Sequence, residues 1–513
     1  MFSYIARRLG ALVVILFGSS FILYNLAAIS GDPLEGLRTS TDPHAKQQML
    51  DLIRKLDLHT PPPLRYFKWL SGILKGFTGH IDFGMTRAAQ PVTTALSTAI
   101  PTTIRLVTLA TVIAIVLGVS VGIVSALRQY SRFDYAMTFI SFLMFSLPIF
   151  WVAVLLKQYL AISFNNFLVT SQIGVVFVTC ASITSGIFWA GVISGSRKRV
   201  TQIFLFAGIL SAVLLEAVSE FKWFTHPGLG IFGIAIAGIG IAFGITQLST
   251  GISNRSALKA SLVTAVVGVV AYYPVHILFK SHGGFFLILG LSLITAAVGV
   301  GAGLSFAKID RGPIIRTAVF TALIIGFFQL VDQLMHTWQP YVNTDAVNGR
   351  PIPTLGQANQ ILAPGNFWMS LLDGLTHLVL PTIALTLISF AGYVRYSRGT
   401  LLEVMNQDYI RTARAKGLTE RTVIMRHAFR NTLIPLTTII VVDFASIIGG
   451  AIITEHVFGW TGMGTLFNQA ITSFDLNLLM SVFFVTASLS VLANLIADLL
   501  YSALDPRIRV GKQ

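Results

Sequence analysis

Long apolar runs recur along this chain, separated by polar turns, and each run is long enough to form a helix that crosses a membrane. About 20 apolar residues suffice for one helical crossing of the hydrocarbon core. The pattern therefore predicts an all-α polytopic membrane protein with about twelve transmembrane helices. The predicted spans are 9-29, 102-126, 135-160, 171-193, 202-219, 229-249, 260-279, 284-306, 315-336, 375-394, 433-454 and 479-501.

Composition and charge agree with this pattern. Hydrophobic residues make up 54% of the 513 residues and charged residues only 11%, whereas a soluble domain carries about 25% charged residues. A soluble single-core enzyme is therefore excluded. The net charge of +15 comes from Lys and Arg that fall mostly at alternate turns between the apolar runs. This is the positive-inside distribution, so we expect both termini in the cytoplasm and no nucleic-acid partner.

The polar segment 30-101 is long enough to have a structure of its own. It mixes charges of both signs, contains Pro61, Pro62 and Pro63, and includes an amphipathic stretch from Lys46 to Leu58. We expect a small folded subdomain on the external side. A plain tether is the alternative.

The second long polar segment, 395-432, is expected on the cytoplasmic side. It carries eight basic and three acidic residues and is interrupted at Gly417, which predicts short helices joined by a turn. Ala413, Ala415 and Gly417 are small, so a partner could approach the backbone closely. Thr419 with Glu420 can cap a following helix. The alternative is a solvated basic loop held near anionic lipid headgroups.

Five ordered segments of the sequence resemble motifs of ABC importer permeases in the dipeptide, oligopeptide and nickel family, of the first permease subunit type. In the cytoplasmic segment, Arg411-Thr412-Ala413 and Gly417 occupy the positions of the family's Glu-Ala-Ala…Gly loop. Thr461 departs from the proline that the family usually has before Gly462. The other four segments are Tyr4 to Leu9 leading to Gly31-Asp32-Pro33, Asp82-Phe83-Gly84 leading to Pro91-Val92 and Pro101-Thr102-Thr103, Glu455 to Gly464, and Asn494 to Arg507.

The resemblance implies a permease subunit that forms half of the translocation pathway of an ATP-driven, binding-protein-dependent importer. It implies a multi-pass protein of the bacterial plasma (inner) membrane that is not itself an enzyme and holds no cofactor, with ATP and Mg bound on partner subunits. The implied partners are a second permease subunit, two ATPase subunits or one fused ATPase, an extracytoplasmic substrate-binding protein and membrane lipid. Di- or oligopeptides are the expected cargo, with nickel complexes, glutathione-like molecules or other small solutes as alternatives.

The resemblance also suggests three groups of site residues. The ATPase-coupling group is Asp408, Arg411, Thr412, Ala413, Ala415, Lys416, Gly417, Leu418, Glu420 and Arg421. The candidate lining of the translocation path is Ser141, Ser146, Tyr393 and Asp443, although neighbouring hydroxyl groups could equally satisfy the Asp443 carboxyl. The candidate external gate or binding-protein contact is Asp82, Phe83, Gly84, Glu455, Phe458 and Gly462.

The chain departs from the family pattern by a long insertion after the third predicted helix. We expect a permease core at 1-165 and 371-513, and between them an inserted block at 166-370 that contains six helices over 171-336. An even number of helices returns the chain to the same side of the membrane. The sequence assigns no function to this block.

Other classes of function fit the same residues less well. The sequence contains no Gly-x-x-x-x-Gly-Lys-Ser/Thr motif, so ATP hydrolysis is expected on another subunit. A proton-coupled secondary transporter fits twelve helices, but such proteins usually show internal repeats, and none is evident here. A membrane-embedded enzyme is disfavoured because His226, His276 and His282 are scattered, and we expect no metal site. The single cysteine, Cys180, allows no intramolecular disulfide.

Overall fold

Helices form nearly all of the structure. The computed structural model describes residues 2–193, 195–307, 311–363 and 365–504. The last residues of the closing motif, 505–507, lie outside this part. Within it the α-helices are α1 (Phe2–Ser30), α2 (Glu35–Arg38), α3 (Ala45–Lys55), α4 (Pro62–Leu74), α5 (Val92–Leu127), α6 (Arg132–Ser146), α7 (Ile149–Leu156), α8 (Phe164–Thr170), α9 (Val175–Ile193), α10 (Arg197–Glu220), α11 (Gly230–Ser249), α12 (Arg255–Val270), α13 (Tyr272–Ser281), α14 (Phe285–Phe306), α15 (Arg311–Val342), α16 (Phe367–Met405), α17 (Asp408–Ala415), α18 (Glu420–Thr422), α19 (Phe429–Gly450), α20 (Ile452–Phe458), α21 (Met463–Thr472) and α22 (Leu476–Leu504).

The all-α polytopic fold is confirmed, whereas the count of twelve spans is not. Among the described residues, ten helical segments are long and apolar enough to cross a membrane. Helices α12 and α13 together form an eleventh candidate, bent by 47° at their junction. The predicted span 433-454 is helical as α19 but is not among these candidates.

The predicted span 135-160 is broken in the structure. Helix α6 ends at Ser146, and α7 begins at Ile149 directly after Pro148. Proline has no backbone N–H and disfavours helical geometry in the residue before it, so the helix stops here. The apolar segment that can cross the membrane is instead Ile149–Thr170, which includes a π-helical stretch at Lys157–Ser163.

The chain divides into two compact units. Unit 1 comprises Met1–Tyr159, Thr354–Gln357 and Leu378–Gln513, and unit 2 comprises Leu160–Pro353 and Ala358–His377. The first part of helix α16 thus belongs to unit 2 and the rest to unit 1. The assignment of the sequence to a permease core and an inserted block stays a prediction.

In unit 1, the segment 30-101 forms helices α2, α3 and α4 and the start of α5, and its role as an external subdomain stays a prediction. Helix α3 covers most of the amphipathic stretch, and α4 begins with two prolines at positions where no N–H is needed. The buried Tyr66 and Trp69 of α4 pack on Tyr24 of α1, and Trp69 also contacts the ring of Phe484 in α22. The hydroxyl groups of Ser20 and Tyr66 lie 2.8 Å apart, in hydrogen-bond contact.

Unit 2 is built from helices that approach each other through small residues. A Cβ atom at Gly299 or Gly303 of α14 would lie 2.6 Å from the backbone of α15, so these glycines allow the two helices to touch. Some polar side chains also join neighbouring helices. The Gln329 amide donates to the carbonyl oxygen of Gly268 at 2.7 Å, which ties α15 to α12.

In unit 1, helices α5 and α16 make a similarly close contact at Gly118 and Gly122. A Cβ atom at Gly118 would lie 2.6 Å from the Cβ atom of Tyr393. One at Gly122 would collide with the Ser397 hydroxyl and lie 2.7 Å from the carbonyl oxygen of Val394. Two glycines four residues apart therefore set the distance between α5 and the part of α16 that leads to the basic segment 395-432.

We expect Gly122→Val to destabilise unit 1. Overpacking of a tight helical contact costs about 1–3 kcal/mol, so the thermal midpoint of the detergent-solubilised chain should fall. Fluorescence-detected size exclusion after heating measures this midpoint. Gly18→Val is the matched control, because a Cβ atom at Gly18 in α1 meets no atom within 4 Å. Equal midpoints for the two variants would contradict the proposed role of Gly122.

Candidate functional site

A buried ion pair fixes the end of α16, from which the basic segment continues. The Asp134 side chain is 3% exposed and accepts two hydrogen bonds from the Arg398 guanidinium, at 2.7 and 2.9 Å. The same carboxylate accepts the Ser125 hydroxyl at 2.5 Å and the Tyr130 backbone N–H at 3.0 Å. The pair thus joins α16 to the end of α5 and the start of α6. Sequence reasoning missed it, although Ser131 and Asp134 form a recognisable helix N-terminus.

The basic segment forms a compact helical projection packed on the end of unit 1. One face of α17 is buried through Ile410 and Ala413. These side chains belong to a small apolar cluster with Ala126, Leu401, Val423 and Ala428. Thr419 caps α18 by accepting the Thr422 N–H, as expected, and the chain continues through a π-helical turn at Val423–Ala428 into α19. The projection is therefore held by contacts on both sides of its turn.

Ala413 lies on the buried face of α17. Its side chain is only 6% exposed and lies in the apolar cluster of this chain. Its small size therefore suits close packing of α17 on the rest of the chain, and its part in the approach of a partner stays a prediction.

The other coupling candidates with described side chains form an exposed surface. The side chain of Asp408 is 97% exposed and that of Arg411 72% exposed. Arg414 and Glu420 are joined across the turn by two hydrogen bonds of 2.7 and 3.2 Å, and this contact lowers the pKa of the Glu420 carboxyl. The Arg421 side chain lies outside the described part. The remaining exposed candidates are Thr412, Ala415, Lys416, Gly417 and Leu418.

Gly417 forms the turn between α17 and α18. Its φ angle of +75° lies in the left-handed region that favours glycine. A Cβ atom added there would meet no atom of this chain within 4 Å. Within this chain, the backbone conformation is therefore the reason for a glycine at this position. The space that a side chain would occupy contains no other atom of the chain.

Two of the four predicted path residues lie together. Tyr393 of α16 is fully buried, and Asp443 of α19 lies beside its hydroxyl group. Ser141 is buried and Ser146 exposed, and each hydroxyl bonds to a carbonyl oxygen of its own helix, Met137 or Leu143. The role of all four in a path stays a prediction.

The predicted gate residues around Glu455 form a buried polar network. Thr103 of α5 donates its hydroxyl to Glu455 at 2.6 Å and accepts the Met463 N–H at 2.8 Å. Glu455 also accepts the Thr465 N–H at 2.9 Å. Gly462 leaves no room for a Cβ atom between Glu455 and Thr103. Two motifs that are far apart in sequence, Pro101-Thr102-Thr103 and Glu455 to Gly464, therefore meet in space.

The remaining predicted gate residues, Phe458 and the Asp82 group, also belong to unit 1. Phe458 is 2% exposed, and the Lys157 ammonium lies 5.3 Å from its ring centre. Asp82 accepts the Gly84 N–H at 2.8 Å in a tight turn, and Phe83 is buried in the aromatic cluster of α1 and α4. Three of these side chains are buried within the chain, namely Glu455, Phe458 and Phe83. They therefore stabilise the turns in which they lie by internal contacts. A role in gating or in contact with a binding protein stays a prediction.

The comparisons with known proteins agree with this architecture. Residues 261–510 match the profile of the family described as binding-protein-dependent transport system inner membrane component. A dipeptide transport system permease protein of Escherichia coli (strain K12) is 35% identical over 237 residues, which is 43% of this chain and 68% of the relative. An oligopeptide transport system permease protein of Mycobacterium tuberculosis (strain H37Rv) is 26% identical over 512 residues, all of both chains. One of Bacillus subtilis (strain 168) is 43% identical over 143 residues, 28% of this chain and 45% of the relative.

The fold and these matches define a polytopic membrane transport subunit of the multi-pass inner-membrane type. The chain belongs to the family of binding-protein-dependent transport system inner membrane components, in its dipeptide and oligopeptide ABC permease branch. A proton-coupled secondary transporter is not favoured by this membership. The profile match begins at residue 261, inside the predicted insertion, so it does not support the limits that the sequence suggested for that block.

We expect Arg398→Leu to destabilise unit 1 strongly because it leaves the buried Asp134 carboxylate without its cation. Removing one partner of a buried ion pair costs about 3–5 kcal/mol. The cost should be smaller in an Asp134→Asn background, where the carboxamide can still accept from Ser125. Thermal midpoints of the four proteins in this double-mutant cycle measure the coupling. Arg430→Leu, which removes an exposed arginine, is the control. Additive effects of the two substitutions would show that the pair is not coupled.

Proposed function

We propose that this chain is the permease subunit of an ATP-driven importer of di- or oligopeptides and forms half of its translocation pathway. The cargo is inferred from relatives that are named as dipeptide and oligopeptide permeases. The proposed partners are a second permease subunit, two ATPase subunits or one fused ATPase, and an extracytoplasmic substrate-binding protein. ATP and Mg bind to the ATPase subunits, and this chain carries no catalytic residue.

In the proposed orientation, both termini and the segment 395-432 face the cytoplasm, and the folded segment 30-101 faces outward. The distribution of Lys and Arg supports this orientation. The motor subunits are expected on the cytoplasmic side, where ATP is available. The basic segment then projects toward them, and the 30-101 subdomain is available to the substrate-binding protein.

The main support for the proposal is that α17 has one buried apolar face and one exposed charged face. Its buried face, through Ile410 and Ala413, attaches it to this chain. Its opposite face presents charged groups, including Asp408 and Arg411, that make few contacts within the chain. A partner with a groove of complementary charge would recognise this exposed face. The attached face would make the projection move with α16 and α19.

The first experiment measures ATP-dependent uptake of a labelled oligopeptide library into vesicles that contain this chain with its partner subunits and binding protein. Accumulation that requires ATP is the expected result. If the assembly hydrolyses ATP but accumulates no peptide, the peptide cargo is wrong and the importer class is retained. Nickel complexes and glutathione-like molecules are then the cargos to test.

We expect Gly417→Asp to lower peptide uptake at least about tenfold, because a repulsive or unpaired charge at a docking surface costs more than about 1.4 kcal/mol. Uptake and ATPase rates are measured in the same vesicles. Gly349→Asp is the matched control, since Gly349 also has a left-handed φ, of +74°, and open space around its Cβ position. The control introduces the same strain and charge outside the proposed docking surface. Equal uptake by the two variants would contradict the coupling role.

We expect Asp443→Asn to change the uptake rate or the range of peptides accepted. In the predicted span 433-454, a carboxyl group at the centre of a membrane helix would cost about 2.5–3.5 kcal/mol by insertion scales, and such groups commonly line paths. Uptake of acidic, neutral and basic peptides measures the effect, and Tyr393→Phe tests the hydroxyl beside it. Unchanged rate and peptide range in Asp443→Asn would argue that this carboxyl has no part in the path.

A further inference from the structure

Three potential metal ligands on two helices of unit 2 lie close together. His276 lies on α13, and Asp332 and His336 lie one turn apart on α15. Their ligand atoms are all within 4.8 Å of one another, and the two imidazole rings are centred 4.9 Å apart. This differs from the prediction that the histidines of this block are scattered. His276 and His336 are 60 residues apart in sequence, so their spacing gave no signal.

The histidine rings are oriented by contacts that leave ligand nitrogens available. Nδ1 of His336 lies 2.8 Å from the backbone carbonyl oxygen of Asp332, one helical turn earlier. This contact places the proton on Nδ1 and leaves the lone pair of Nε2 free, as in many histidine ligands of metals. The His276 ring is stacked on Tyr272, at 5.9 Å and 11° between planes.

Asp332 carries a buried negative charge that no Lys or Arg neutralises among the described ion pairs. Its side chain is 1% exposed, and its partner in an ion-pair contact is His336, at 3.5 Å. The carboxylate accepts the backbone N–H of Leu229 at 2.7 Å and the hydroxyl of Tyr272 at 2.8 Å. Buried charges are normally paired or bound to metal ions. These hydrogen bonds orient the Asp332 carboxylate but leave its negative charge. A cation beside it would neutralise that charge.

The cluster opens into a cavity of about 420 Å³ that both histidines line. Gln333 lines the same cavity, is 6% exposed, and its Oε1 atom has no hydrogen-bond partner among the described residues. A buried amide oxygen without a partner indicates a missing donor, water or cation. This observation is independent of the geometry of the three ligands. Lys280 also lines the cavity, so one positive charge is already present at its edge.

We propose that His276, Asp332 and His336 form a binding site for a divalent transition-metal ion. Two imidazole nitrogens and one carboxylate oxygen suit Zn²⁺ and related first-row ions, with water in the remaining position. Small side-chain adjustments bring the three atoms to bonding distance. The ion joins α13, which follows the bend after α12, to the long helix α15. The proposal goes beyond peptide import, since it requires neither cargo nor an ATPase subunit.

The test measures Zn²⁺ binding to the full-length chain in lipid nanodiscs, prepared without a polyhistidine tag. Metal content after dialysis gives the stoichiometry, and Co²⁺ substitution gives the d–d spectrum of the bound ion. One Zn²⁺ per chain is the expected result. Affinity should fall more than about 100-fold in His276→Gln or His336→Gln, because losing even an outer-shell partner of a ligand costs about 10–100-fold, and binding should disappear in the double variant. Asp332 is left unchanged because its hydrogen bonds also support the fold.

Two further variants make the test specific. His282→Gln removes an exposed histidine of the same segment that is not part of the cluster, and it should leave Zn²⁺ binding unchanged. Lys280→Gln removes the competing positive charge and should tighten binding several-fold. The proposal is overturned if the wild-type chain binds no more Zn²⁺ than the double variant. It is also overturned if His282→Gln weakens binding as much as His336→Gln.

Discussion

The buried pair of Asp134 and Arg398 is the contact on which the position of the basic segment depends. Arg398 lies near the end of α16, and the turn into α17 follows less than three helical turns later. The carboxylate is satisfied from three directions, by the guanidinium, a hydroxyl and a backbone N–H. Such a pair contributes little net stability but fixes geometry, because losing either partner leaves a buried polar group unsatisfied. The close contact at Gly122 fixes the same part of α16.

A second buried carboxylate contacts the same helix α5 at Thr103, about a third of the way along it. Thr103 bonds to Glu455, and Ser125 bonds to Asp134, and both hydroxyl groups belong to the same helix. At 1.5 Å per residue the two positions are about 33 Å apart, close to the roughly 30 Å thickness of the hydrocarbon core. The two polar contacts are therefore separated by about the thickness of the hydrocarbon core, and a carboxylate near a membrane surface costs less than one at the midplane. Helix α5 serves as a spacer between them.

The sequence predicted what depends on local pattern and could not predict contacts between distant helices. Apolar runs predicted most spans, and the capping residue Thr419 and the turn at Gly417 followed from local propensity. The break at Pro148 was missed because residues 135-160 are apolar throughout, and hydropathy alone indicates one continuous helix. Proline interrupts the helix because it lacks a backbone N–H, which hydropathy does not register. The burial of Ala413 was also missed, since small size is equally suited to docking and to internal packing. The cluster of His276, Asp332 and His336 depends on the pairing of α13 with α15, which no spacing encodes.

In the proposed importer, a docked partner would act on two helices of unit 1. The exposed face of α17 is carried by α16 on one side and, through the π-helical turn, by α19 on the other. Close packing of Ile410, Val423 and Ala428 makes this projection stiff, because packed side chains resist deformation. The same two helices carry Tyr393 and Asp443, which lie side by side. A displacement of the projection would therefore change the distance between α16 and α19 at Tyr393 and Asp443. The projection itself would move as one body.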